Sequence, residues 1–143
     1  MGDRKHRFEM EIINWDKEDM FNSSPIIKAK IDMTTCYLLI DTGASISFID
    51  KKFLDKQPLL KNFIEKGDKM YVANMLGGVS KSTKIVKTKN LTFGGKNYEH
   101  EFQIIDLNIC QENKELVYHG ILGFDFLMRH KIVLNFSDFN FAI

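Results

Sequence analysis

The sequence has only two cysteines, Cys36 and Cys110, and no second Cys or His pair stands near either at metal-ligand spacing. That excludes a disulfide-rich scaffold and a zinc site. It points instead to reduced thiols, buried or partly buried and without a role, in a cytoplasmic setting. Charge of one sign is missing too. Twenty basic residues against 19 acidic give a formal charge of +1, so no phosphate-binding surface is expected. Lys51-Lys52 and the lysines between Lys81 and Lys89 read as solvated faces and not as nucleic-acid contacts. No apolar run approaches the roughly 20 residues of a membrane-spanning helix. The start, Met1-Gly2-Asp3-Arg4-Lys5-His6, is too polar for a signal peptide and lacks the Ser or Thr that myristoylation uses at position 6. Internal repeats and low-complexity tracts are absent as well.

What is present suffices for a core. Hydrophobic residues make up 44% of the 143, with 12 Phe among them, enough for one domain or one domain with a short arm. Residues 1–24 read as an N-terminal arm or linker whose alternating stretch, Phe8 to Ile12, suits an edge strand, and residues 25–143 read as the domain. Residues 26–31 and 34–40 alternate as a hairpin, and 46–49 is another strand. A short helix is expected between 50 and 63, interrupted at Pro58. Residues 70–76 and 82–86 flank Gly77-Gly78 as a second hairpin; 91–93 and 98–106 flank Gly94-Gly95-Lys96-Asn97 as a third. A polar loop over 106–117 precedes Gly120-Ile121-Leu122-Gly123, a helical segment over 124–130, and strands over 132–136 and 139–143. The class is all-β with one or two short helices.

Chemistry concentrates in Leu38-Leu39-Ile40-Asp41-Thr42-Gly43-Ala44-Ser45, where an apolar, β-prone run ends in a small-residue turn with one carboxylate at its tip. Gly43 permits a tight turn and Thr42 sets a hydroxyl beside the acid. Read alone, such a turn also suits a strand end whose Asp merely accepts backbone hydrogen bonds. Gly77-Gly78 alone is a hairpin turn, and Ile121-Leu122-Gly123 alone is core strand. His6, His100 and His130 read as surface residues, and His119 as a loop or pocket-wall residue.

Taken together and in order, these segments resemble the retropepsins, the aspartic proteases of retroviruses and long-terminal-repeat retrotransposons. Asp41-Thr42-Gly43-Ala44 matches the catalytic turn, Met75-Leu76-Gly77-Gly78-Val79 the flap tip, and Ile121-Leu122-Gly123, about eighty residues after the turn, the second hydrophobic element. Its continuation, Phe124-Asp125-Phe126-Leu127, reads closer to gypsy-type retrotransposon enzymes. The resemblance implies a retropepsin-type fold, a closed β-barrel-like monomer that forms a two-fold dimer. It also implies hydrolysis of peptide bonds in a Gag-Pol-type polyprotein, with no cofactor, no metal, no nucleic-acid or membrane partner, and a location inside virus-like particles. Two carboxylates a few ångströms apart share one proton and activate water between them. No other Asp here is followed by Thr-Gly or Ser-Gly, so the second carboxylate must come from a second copy.

By the same resemblance Asp41 is the acid/base, Thr42 bonds across the dimer axis, and Gly43 offers its carbonyl to substrate. Ala44, Ser45, Gly77, Gly78, Val79, Val117, Tyr118, His119 and Ile121 then line the substrate. Two departures stand out. Retroviral members carry an acid at the position of Ser45 and an arginine at that of Phe124, and that ion pair is absent here. Apolar contact of Phe124 is expected in its place, or a pair between Asp125 and Arg129, four residues along the helix. A domesticated cellular protease and a non-catalytic dimerisation or peptide-binding module are the other readings of the same fold.

Overall fold

The structure, a computed structural model, describes residues 7–9, 26–75, 78–107, 118–135 and 140–142. In chain order the strands are β1 (Arg7–Glu9), β2 (Ile26–Ile31), β3 (Thr34–Ile40), β4 (Phe48–Asp50), β5 (Ile64–Met75), β6 (Gly78–Phe93), β7 (Lys96–Ile105), β8 (Gly120–Leu122), β9 (Val133–Asn135) and β10 (Asn140–Ala142). The helices are short: α1 (Lys51–Asp55), α2 (Pro58–Lys61) and α3 (Phe124–Arg129).

Alternation sets the faces as expected. β2 buries Ile27, Ala29 and Ile31 while Lys28 and Lys30 face solvent, and β3 buries Cys36, Leu38 and Ile40. Asp32 and Met33 join them with φ of 46° and 72°, the left-handed pair that a two-residue hairpin requires. Neither is glycine, and the turn is tied down from outside: Asn90 donates its side-chain amide to Asp32 Oδ1 at 2.8 Å, and Asp32 N–H donates to Asn90 O. A second hairpin of this kind uses Gly94 and Gly95, at φ 60° and 76°, so Lys96 and Asn97 belong to β7 and not to the turn.

Seven strands hydrogen-bond in the order β2-β3-β8-β4-β7-β6-β5. β2 also pairs with β6, Ile31 opposite Leu91, which closes six of them into a barrel and leaves β5 attached only to the outside edge of β6. β6 runs unbroken through residues 87–90, where the sequence suggested a gap between two strands. A register shift between Thr88 and Leu91 bends it around the barrel, and the buried Thr88 hydroxyl donates to His100 O. One large cluster, including Leu38, Ile49, Val86, Phe102, Leu122 and Phe126, fills the interior. A smaller one gathers Ile26, Ile105, Leu107, Tyr118 and Ile121. Fully burying a Phe or Leu stabilises by about 1.5–3 kcal/mol, so this packing dominates the fold's stability.

The segment after the Asp41 turn forms α1 and α2, with Pro58 as the first residue of α2, where its missing N–H costs nothing. Phe53, Leu54 and Leu60 anchor both helices to the core. β1, from the stretch read as arm or linker, pairs with β10, and β10 pairs with β9 on its other edge. Cys36 is fully buried, and burial pushes its thiol pKa far up, which keeps it inert; Cys110 and the 108–117 loop lie outside the described residues.

Two histidine readings need correction. His100 is not at the surface but 6% exposed, because β7 alternates and Tyr98, His100 and Phe102 share the inward face. His130 is half-buried, its ring centroid 4.5 Å from that of Phe126 and 4.9 Å from that of Tyr98. His6 lies outside the described residues.

Candidate active site

Asp41 leaves β3 at the point where β8 lies between β3 and β4. β3 and β8 run parallel, Leu39 opposite Ile121, while β4 runs antiparallel to β8, Phe48 opposite Ile121. The turn over residues 41–47 must therefore cross the end of β8, and the backbone knits it there. Asp41 N–H donates to Leu122 O at 3.0 Å, Phe124 N–H to Ala44 O at 2.7 Å, and Asp125 N–H to Ser45 O at 3.2 Å. The approach is so close that glycine is required. A Cβ on Gly123 would sit 2.4 Å from Ile46 O and 2.8 Å from Ala44 O, and one on Gly120 would sit 2.7 Å from Phe48 O.

Within the turn, Gly43 N–H donates to Asp41 Oδ1 at 2.8 Å and Ala44 N–H donates to Asp41 O. These bonds fix the Asp41 carboxylate at the tip, half-exposed, with Thr42, Gly43 and Ser45 in solvent beside it. Ala44 packs with Leu39 and Phe48 against the cluster that holds Ile121 and Tyr118. His119 accepts a hydrogen bond from Tyr37 N–H on Nδ1 at 3.0 Å, donates its backbone N–H to Tyr37 O, and stacks on Phe53 with ring centroids 4.3 Å apart. Burial lowers its pKa below the ordinary 6.5; Asp50 opposes that and Lys56 adds to it. Val79, at the start of β6, is 64% exposed, and Gly78 pairs with Met75 in the backbone ladder. Gly77 and Val117 lie outside the described residues.

Ser47 and His100, which the motifs do not single out, hold the turn from behind together with Asp125. Ser47, completely buried, donates its hydroxyl to Asp125 Oδ1 at 2.7 Å and its N–H to Asp125 Oδ2 at 3.2 Å. Its Oγ accepts Gly123 N–H at 3.0 Å, and its carbonyl accepts Gln103 N–H. His100 Nε2 lies 2.9 Å from Ser47 Oγ and 3.2 Å from Asp125 Oδ2. Asp125 thus turns to Ser47 and His100, not to Arg129. Burial would raise the Asp125 pKa, but hydrogen bonds from His100 and Ser47, the charge of His100 and the Phe126 N–H outweigh it and hold the carboxyl below its ordinary value. The period-two alternation of β7 is the signal by which His100 was visible in the sequence.

As it stands the site offers one carboxylate on a hydrogen-bonded turn, with Leu39 and Ala44 packed on the apolar cluster of Ile121. Among the described residues no cluster of His, Cys, Asp and Glu could hold a metal ion. Nor is any described helix long and apolar enough to cross a membrane.

Comparison with known proteins bears on this geometry. The family model described as "Aspartyl protease" matches residues 27–126. None of the curated protein sequences compared matches the chain. Among solved structures, a retropepsin-like aspartic protease from Rickettsia conorii aligns with TM-score 0.59 and 14% identity, over 95% of this chain and 90% of that one. The retroviral protease-like domain of Ddi1 from Leishmania major aligns with TM-score 0.54 and 16% identity, over 78% and 81%. EIAV protease in complex with the inhibitor HBY-793 aligns with TM-score 0.52 and 18% identity, over 79% and 93%. These likenesses establish a retropepsin-like fold.

Proposed function

The chain belongs to the aspartyl protease family, whose model spans most of the barrel, and we propose that it is an aspartic endopeptidase built from two copies of itself. The observation that carries this is the single Asp-Thr-Gly turn, braced so that the Asp41 carboxylate stands free at its tip. One carboxylate cannot both take a proton from water and give one to the peptide carbonyl. Two copies of Asp41 on a two-fold axis can, sharing one proton between them, with no cofactor. One acts as base on the water while the other donates to the carbonyl oxygen, and their roles exchange as the tetrahedral intermediate collapses.

Thr42 bonds across the axis in this reading and Gly43 presents its carbonyl to the substrate backbone. The substrate lies extended between Ala44, Ser45, Tyr118, His119 and Ile121 below and Gly77, Gly78 and Val79 above, with Val117 on the wall. It adds as a strand held by main-chain bonds. Phe124, 48% exposed beside the Ala44 carbonyl, supplies apolar contact to the partner where an ion pair is missing. The natural substrate is a Gag-Pol-type polyprotein, cleaved within cytoplasmic virus-like particles by the domain over 25–143, to which the 1–24 arm adds β1. A cellular role is the second reading, favoured by structural likeness to proteins of a protozoan and a bacterium. Reverse-transcriptase sequence following Ile143 in the parent reading frame would decide for the polyprotein.

A fluorogenic peptide assay tests the activity. Cleavage should be inhibited by pepstatin, and specific activity should rise with protein concentration as dimers form. Cleavage that ignores pepstatin and is strictly proportional to enzyme would sink the proposal.

A further inference from the structure

We propose that His100 is a positioning residue for catalysis, holding the Asp41 turn in its working geometry through Ser47 and Asp125. The inference rests on the protease reading above only for its kinetic consequence; the brace itself is geometric.

Proton inventory fixes the roles. Ser47 has one hydroxyl proton, and it goes to Asp125 Oδ1. Its Oγ lone pairs face Gly123 N–H and His100 Nε2. Neither Ser47 nor the Asp125 carboxylate has a proton left to offer, so Nε2 carries its own and shares it between Ser47 Oγ and Asp125 Oδ2. The Asp125 carboxylate then receives Ser47 O–H and Phe126 N–H on Oδ1, and Ser47 N–H and His100 Nε2–H on Oδ2. That fills its accepting capacity. Nδ1 of His100 is buried without a partner among the described residues, so the ring is held by its Nε2 end and by packing edge-on to Phe102 and Phe126, at 5.2 and 5.0 Å.

The consequence lies in what this network connects. His100 stands on β7, Asp125 at the start of α3, and Ser47 at the end of the turn that begins with Asp41. Without the Nε2 donor, Asp125 loses a charge-assisted bond and Ser47 a contact, both in a buried place where water does not replace them. The turn is then free to shift relative to Gly123, and a displacement of about 1 Å at a catalytic group can cost about 100-fold in rate.

The test compares His100→Leu, which keeps apolar bulk but no donor, with His100→Gln, whose amide nitrogen reaches the place of Nε2. At protein concentrations that saturate the dimer, His100→Leu should lower kcat by about 10- to 100-fold with KM little changed, and His100→Gln should restore most of it. Unchanged kcat in His100→Leu, or equal losses in both variants, would overturn the proposal. Should His100→Leu not fold, Ser47→Ala takes its place: the same loss of kcat at constant KM supports the brace, and full kcat overturns it. Hydrogen exchange gives a readout independent of cleavage. The Gly123 and Phe124 amides should exchange about tenfold faster in His100→Leu than in wild type or His100→Gln. Equal rates overturn the brace whatever the assay shows. A wild-type protein that cleaves nothing would sink the protease reading and leave exchange alone to decide on His100.

Discussion

Around the Asp41 turn, Ser47, Gly120 and Gly123 are buried, and the N–H, carbonyl and hydroxyl of Ser47 each have a partner. Along β5, by contrast, no residue from Ile64 to Val72 is buried. Among the described strands β5 hydrogen-bonds to β6 alone, outside the closed barrel, with a register shift between Lys66 and Tyr71. Its Met70 and Val72 are 59% and 53% exposed. The turn is thus held by particular side chains at contact distance. Past Ile64, which packs on the core, and the exposed Glu65–Lys87 pair, the arm from Lys66 to Val72 is held chiefly by main-chain bonds that any residue except proline can make. Substitutions in the turn should be costly and specific, and those on the arm cheap.

The largest effect tests the tip of the turn. Asp41→Asn keeps the oxygen that accepts Gly43 N–H, so fold and dimer should survive, while cleavage should fall by at least about 10²–10⁴-fold. Full activity of purified Asp41→Asn would end the protease reading. Next comes Gly123→Ala. Its Cβ would meet the backbone of Ile46 and Ala44 at 2.4–2.8 Å, contacts that no rotamer change relieves. Overpacking of this kind costs about 1–3 kcal/mol, and activity should drop with it. Gly95→Ala is the control: nothing lies within 4 Å there, and only the φ of +76° resists, at about 1–2 kcal/mol. If urea midpoints for the two variants coincide and activity is equal, close packing under the turn is not what holds it.

This contrast also explains what was legible in the sequence. Hairpins, the Asp41 turn and Gly120 to Gly123 were readable because alternation and turn chemistry are local. The closed barrel followed from the resemblance alone; the pairing that closes it, Ile31 meeting Leu91, is long-range and has no local mark. His100 looks like a surface residue by type, and only its parity with Tyr98 and Phe102 along β7 marks it as inward. Asp125 was offered Arg129 because i,i+4 spacing is visible in sequence, whereas Ser47, 78 residues away, is not.

Acid should loosen the region around the turn in two steps. His119 and His130 are both lowered from 6.5, chiefly by burial. The unfolded chain therefore binds more protons than the folded one as pH drops below about 6.5, and stability falls with it. Asp125, lowered from 3.8, follows the same sign further down: its contribution is intact above that value and is lost as pH falls through the depressed one. Urea midpoints should therefore decline first between pH 7.5 and about 5, then again below about 4. His119→Asn, which keeps an acceptor near Nδ1 but does not titrate, should flatten part of the first step. A flat midpoint from pH 7.5 to 5 would remove the histidines from the account.

The smallest effect is expected on the arm. Val72 stands opposite Lys81, both of them exposed, so Val72→Thr keeps the β-branched shape and changes only a methyl that water already reaches. Stability should move by no more than about 0.5 kcal/mol in either direction. The same exchange at Val86, which is fully buried, places a hydroxyl in the barrel's apolar interior at about 1–3 kcal/mol. The two variants have identical chemistry and sit on neighbouring strands, so their urea midpoints compare environment alone. Equal losses would mean that the arm is packed in the working protein, with Val72 covered by a partner chain. In that case its loss should grow with protein concentration, as a contact between copies requires. A loss that stays near zero at every concentration would instead confirm an arm held by its ladder, free to meet an extended peptide with its side chains uncommitted.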